Sequence, residues 1–429
     1  MVRLNILLKT LFHCLLLFLL LFHNMAFSQN DETISDAISH LILEDTLFVT
    51  QQEQQLVINK VVKDANDAKY SDNSVLSSGK WYKIALDKTG IYKITYSDLV
   101  SWGIPVASIN ARNIRIYHNG GSLVPVINSE PRYDDLVEIP VFVSSGNEKF
   151  GENDYILFYA RGPVVWQYDS SNAFYEHVKN PYSENSFAFL NFDLGEGKRL
   201  QYAEEPTGST IQNTVFLDGK VVEEDLYNLN NMGKTWYFDL FDIVLSRYYD
   251  FSFPDINTSK PSKLRMEVAS RNFSTAYFSL KYKGELIDRL SFNSISNSNY
   301  DYALHKSTNV ISFNAVSSDI SLELTYSRTM SSSTGWLDYI EVNSWRNLVF
   351  SGSMMSFRNP ECNDASSVYE YVMSNVSGNV QVWDVTNPVE PVRLNADIQS
   401  STLKFKVNGD IDNEFIAFNG QSFYAPKYV

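Results

Sequence analysis

The stretch Lys263-Leu264-Arg265-Met266-Glu267-Val268-Ala269-Ser270-Arg271 decides the fold. Leu264, Met266 and Val268 alternate with Lys263, Arg265 and Glu267, a period of two that puts the apolar side chains on one face of a strand and the charges on the other. Ile320, Leu322, Leu324 and Tyr326 repeat it against Ser321, Glu323 and Thr325, as do Leu403, Phe405 and Val407 against Lys404 and Lys406. Between Ile114–Tyr117 and Leu123–Ile127, Asn119-Gly120-Gly121 tolerates the positive φ of a tight hairpin turn. Aromatic residues make up 14% of the chain, and they suit pleated, half-buried surfaces better than helix faces. The expectation is an all-β protein of tandem sandwich or jelly-roll-like domains with one or two short helices. One helix is expected over Tyr96–Gly103, capped by Thr95 or Ser97, with Leu99 and Val100 inward and Gly103 and Pro105 as its stop. Ala365–Ser374 is the second candidate, because Val368, Tyr371 and Val372 share a face at i, i+3 and i+4.

A length of 429 residues predicts about two to four domains. Residues 1–28 have the order of a secretory signal: Arg3 and Lys9, an apolar run from Leu11 to Phe22, then Ala26-Phe27-Ser28, with cleavage expected after Ser28. A retained anchor is disfavoured because the apolar run is short of the roughly 20 residues a spanning helix needs. Cys14 follows His13 and lies mid-run, which disfavours lipoprotein processing. Residues 29–78 are polar and read as a loosely ordered lead-in. Residues 79–205 then read as a first β-domain, 206–350 as a second of sandwich or jelly-roll type, and 351–429 as a small β-region; Glu204–Ser209, with Pro206 and Gly208, marks the first boundary.

A formal net charge of −15 predicts no nucleic-acid partner, because no basic patch offsets it. Of the two cysteines, only Cys362 lies beyond the signal, so no disulfide framework or thiolate-rich zinc site is expected. Nucleophilic catalysis by Cys362 needs a histidine base, and His40, His118, His177 and His305 carry no supporting local pattern. His118, at a strand end against Asn119-Gly120-Gly121, reads as a surface hairpin histidine. Cys362 reads as an inert loop thiol whose ionisation is opposed by Glu361 and Asp364. Asp410-Ile411-Asp412-Asn413-Glu414 is similar to the start of a calcium loop but lacks the glycine at position six and the distal glutamate, so a polar hairpin turn is the preferred reading over calcium binding by Asp410, Asp412 or Glu414. Gly195-Glu196-Gly197-Lys198 lacks the spacing of a phosphate loop. No catalytic, metal-binding or cofactor-binding residue is assigned, and no cofactor is expected.

Several segments in shared order carry a family resemblance. They begin with Gly79-Lys80-Trp81-Tyr82-Lys83-Ile84 and Thr89-Gly90-Ile91-Tyr92-Lys93-Ile94-Thr95-Tyr96, followed by Asn113–Gly121, Asp134–Glu138, Asp154–Tyr159 with Gly162-Pro163, and Asn180-Pro181-Tyr182-Ser183. Gly335-Trp336-Leu337-Asp338-Tyr339-Ile340-Glu341-Val342 and Val382-Trp383-Asp384-Val385-Thr386-Asn387-Pro388 complete them. Across roughly 79–429 the chain resembles the type IX secretion sortases of the gingipain-type cysteine peptidases. The resemblance implies a cell-surface protein of Bacteroidetes that removes C-terminal sorting domains from secreted cargo with a Cys/His pair. In that family the peptidase domain follows a region similar to Phe415–Gly420, and none of the histidines nor Cys362 matches the catalytic motifs. What is implied for this chain is therefore the non-catalytic N-terminal portion, an accessory region that docks on an outer-membrane partner such as PorV. The alternative from the residues themselves is a secreted carbohydrate-binding or adhesion module, motivated by Trp102, Trp166, Trp236 and Trp383.

Overall fold

The computed structural model describes residues 73–121, 123–127, 132–146, 148–231, 234–296 and 302–429. The signal segment 1–28, nearly all of the lead-in and His40 lie outside the described residues. The chain divides into two compact units, residues 1–74 with 124–135, and residues 75–123 with 136–429; all that follows concerns the second.

That unit is β throughout, with one α-helix among the described residues, Tyr96–Ser101. Thr95 caps it through a capping box: its hydroxyl accepts from Asp98 N at 3.2 Å and the Asp98 carboxylate accepts from Thr95 N at 2.7 Å. At the other end Gly103, at φ +75°, closes a Schellman turn in which Gly103 N donates to Val100 O and Ile104 N to Leu99 O, both at 3.0 Å. Leu99 is buried as expected, but Val100 is 53% exposed, because six residues expose one side of so short a helix.

Three apolar cores organise the strands. The first lies between a sheet containing Tyr82–Leu86, Arg115–His118, Val137–Ile139 and Ser186–Asn191 and a second containing Gly90–Thr95 and Tyr155–Ala160; Ile84, Ile94, Ile116, Ile139, Ile156 and Leu190 are fully buried there. The second is a sandwich. Leu264, Met266 and Val268 of Ser262–Arg271, together with Ile340 and Val342 of Thr334–Asn347, face Leu280 of Ala276–Tyr282 and Ile320, Leu322, Leu324 and Tyr326 of Asp319–Arg328. The third is aromatic: Phe357, Tyr371, Phe405 and Phe415 have ring centroids 5.1 to 6.1 Å apart. Every residue of the strand Glu414–Phe418 is buried, since Phe415 and Ala417 face this core while Ile416 and Phe418 pack with Trp383 against Ile91, Leu157 and Tyr159.

Three local expectations are corrected. Ala365–Ser374 is not helical: Val368–Met373 is a strand, parallel to Thr210–Asn213 and antiparallel to Thr402–Asn408. Tyr369, Tyr371 and Met373 are buried at a period of two, and this aromatic and β-branched run had partners on both sides, which outweighs a short helical periodicity. Asn119-Gly120-Gly121 does not join Arg115–His118 to a strand at 123–127. Those residues are not extended into a strand, and the antiparallel neighbours of Arg115–His118 are Val137–Ile139 and Ser186–Asn191. Asp410–Glu414 is not a hairpin turn either. It carries the chain from Thr402–Asn408 in one sheet to Glu414–Phe418 in another, and the Glu414 carboxylate turns away to Arg161 at 2.9 Å and Arg358 at 3.8 Å.

Candidate functional site

Cys362 is 4% exposed within the third core. Burial pushes its thiol up from the ordinary range and Glu361 adds to this, while Tyr371 and Lys260 act weakly the other way. Asp364 instead accepts from the Ser366 and Ser367 hydroxyls. No histidine among the described residues is hydrogen-bonded to Cys362. His118 is fully buried rather than on the surface, its Nδ1 accepting from Gly120 N at 3.0 Å, and burial together with Arg161 lowers it to about 4, so it is neutral. The turn sequence showed where the chain reverses but not what covers it. His305 is hydrogen-bonded to the Tyr237 hydroxyl. The tryptophans form no common platform: Trp383 is in the interior against Phe418, Trp102 stacks on Tyr428 at 5.7 Å, Trp166 lies over Gly219, and Trp236 is 41% exposed.

His177 occupies a different setting. It sits on the hairpin Val164–Asp169 and Phe174–Lys179, which lies against the outward face of Thr334–Asn347. That face carries Tyr339, Glu341 and Asn343. Asn343 accepts from Tyr175 N at 2.6 Å and donates to Tyr175 O at 3.0 Å, and Glu341 accepts from His177 N at 2.9 Å. The imidazole is held by two carboxylates, Nδ1 to Glu341 at 2.6 Å and Nε2 to Glu223 at 2.7 Å. Burial alone would lower its pKa, but these two acceptors overcome that and raise it to about 9, so His177 is a cation at neutral pH. Glu341 also receives Arg265 Nε at 2.8 Å, and the guanidinium continues to Glu176 at 2.6 Å. Lys179 extends the network to Asp225 at 2.8 Å and Glu223 at 3.7 Å.

Two concavities flank this seam. The larger, about 540 Å³, brings together Arg161, Trp166, Gly219, Arg346, Arg358 and Glu414 among its lining residues. Its guanidinium groups are engaged: Arg161 and Arg358 with Glu414, and Arg346 with Asp218 at 2.9 Å and Pro254 O at 2.6 Å. The smaller, about 170 Å³, is lined by Lys179, Glu223, Asp225, Lys234, Trp236 and Asp338 among others. Asp338 is there because of a β-bulge. Ser262–Arg271 pairs Glu267 with Tyr339 and Val268 with Leu337, leaving Asp338 unopposed. The extra residue resets the alternation, so that Leu337 and Ile340 both reach the core. Asp338 is pushed up from 3.8 to about 8, by burial first and then by Glu267, Glu223 and Asp225.

The fold is thus that of a multi-sheet all-β protein whose three cores are joined by a buried polar seam. No protein-family model and no curated protein matches the sequence. Among solved structures, the chain is similar to dimeric latent PorU from Porphyromonas gingivalis, with a TM-score of 0.71 and 23% identity over 84% of this chain. The match takes in 34% of that protein, so the chain spans about a third of its length. This shows a PorU-like fold. A second similarity, to the CBM36-1 domain of a multidomain xylanase from the hindgut metagenome of Trinervitermes trinervoides, has 12% identity over 29% of this chain and 96% of that one; at a TM-score of 0.20 it carries no argument.

Proposed function

We propose that the chain is the accessory, interaction-bearing β-region of a type IX secretion sortase, exported to the cell surface and docked on an outer-membrane partner such as PorV. In this reading 79–205, 206–350 and 351–429 are three β-bodies that support a peptidase, and cargo with C-terminal sorting domains is processed by that peptidase rather than by this region. The observation that carries the proposal is the TM-score of 0.71 to PorU over 84% of the chain. The setting of Cys362 agrees with it: a buried thiol with a raised pKa and no hydrogen-bonded histidine lacks the thiolate and base that cysteine catalysis uses.

The experiment is co-elution of the purified chain with a detergent-solubilised PorV-type protein, beside a glycan array and an incubation with cargo carrying a sorting domain. Stable co-elution without cargo cleavage is the expected result. Glycan binding without co-elution would replace the proposal with the carbohydrate-binding reading, and cleavage that is lost in Cys362→Ala would make Cys362 a nucleophile.

A further inference from the structure

The pocket at the bulge is one cation short. Asp338 is 8% exposed, lines the pocket, and has no hydrogen bond or ion pair among the described residues. The cations nearby are committed elsewhere: His177 is held by Glu223 and Glu341, and Lys179 by Asp225 and Glu223. Lys234 is on the pocket wall but exposed, its ammonium 5.6 Å from the centre of the Tyr182 ring. A carboxylate is seldom left buried without a partner, because desolvation is then uncompensated.

The pocket's composition says what kind of cation would complete it. No group of three or more His, Cys, Asp or Glu among the described residues could hold a metal ion. Trp236 supplies an exposed indole, and an aromatic face attracts an organic cation more strongly than it attracts a neutral group. A neutral sugar would also stack on that indole but would leave the Asp338 charge unmatched. We propose that this pocket binds the ammonium group of a lysine side chain presented by a partner polypeptide, with Asp338 as its counter-ion and Trp236 as its wall. The inference is independent of the sortase reading, since it rests on the bulge and its neighbours alone. Burial, with Glu267, Glu223 and Asp225 close by, keeps Asp338 largely protonated near neutrality when the pocket is empty, so an arriving ammonium displaces that proton to solvent as the ion pair forms.

The test is calorimetric titration of the whole chain at pH 7 with Nα-acetyl-lysine methylamide, run in two buffers of different ionisation enthalpy. Saturable binding is expected, with proton release seen as a buffer-dependent heat. Asp338→Asn should weaken it at least tenfold and Trp236→Ala severalfold. The uncharged norleucine analogue and methyl glucoside should not bind. Asn fits the site without a charge, so the variant's folding is checked independently by its denaturation midpoint. Absence of binding to the wild type, equal binding of the norleucine analogue or the glucoside, or unchanged affinity in Asp338→Asn would each overturn the proposal.

Discussion

Replacing Glu341 with Gln isolates the energetics of the polar seam. The Glu341 side chain is 0% exposed and accepts from His177 N, His177 Nδ1 and Arg265 Nε. Removing one partner of a buried charge pair costs about 3–5 kcal/mol, because the opposite charges remain desolvated. The lower end is expected here, since His177 keeps Glu223 and Arg265 keeps Glu176. A pH signature separates this loss from a simple packing defect. His177 rises from 6.5 to about 9 on folding. At about 1.4 kcal/mol per pKa unit, the shift stabilises the native state by roughly 3 kcal/mol. Because the native pKa lies above the unfolded one, this contribution is fully present below about pH 6.5 and is lost as pH rises through about 9. Asp338 titrates with the same sign, since its native pKa is also raised, so the comparison belongs in an Asp338→Asn background. Urea denaturation followed by tryptophan fluorescence at pH 6, 7.5 and 9 reads both effects. Glu341→Gln should lose most stability at pH 6 and show a shallower decline towards pH 9. A variant within about 1 kcal/mol of its parent at pH 6, or one with an unchanged slope, refutes the assignment of a charged His177 to the seam.

Three further outcomes are expected. Asp338→Asn should raise the urea midpoint at pH 8 and leave it nearly unchanged at pH 4, because a carboxylate whose pKa goes from 3.8 to about 8 on folding destabilises the native state as pH rises through that window. Gly219→Ala should destabilise by about 1–3 kcal/mol and shift tryptophan emission, since the new Cβ would stand 2.9 Å from the Trp166 ring; an unshifted spectrum and midpoint would show that the ring is not seated there. Cys362 should resist a disulfide-exchange reagent in the native chain and react once it is unfolded, given its burial and raised thiol pKa; rapid native labelling would contradict this.

The strands and the interior of the sandwich were legible where one face is wet and the other dry. Leu264, Met266 and Val268 point to the core while Arg265 and Glu267 do not, which is what a period of two encodes. Thr95 was legible for an equally local reason, as a capping residue three positions before Asp98. Val368–Met373 was not, because a short apolar run fits both periods until its neighbours are known. The polar seam was harder still, as His177 and Glu341 are 164 residues apart and no local rule pairs them. A signal was nevertheless present: Asp338 and Glu341 interrupt the apolar run Trp336–Val342, and charges in a strand buried on both faces need partners.

The seam also explains why the hairpin Val164–Asp169 and Phe174–Lys179 stays where it is. Its two strands pair only with each other, and an isolated two-stranded ribbon is marginal in water. Tyr175 and His177 are two residues apart, as are Asn343 and Glu341, so both pairs repeat along their strands with the same period. The side chains of Asn343 and Glu341 accept the N–H groups of Tyr175 and His177 and so take the place of a third strand. Shifting the hairpin by one residue would turn His177 away from both carboxylates and leave Glu341 buried beside Arg265 alone, whereas a purely apolar contact would tolerate such a slip. The buried charges therefore fix the register between the hairpin and the sandwich, and the same register brings Lys179 and Glu223 to the wall of the pocket beside Asp338.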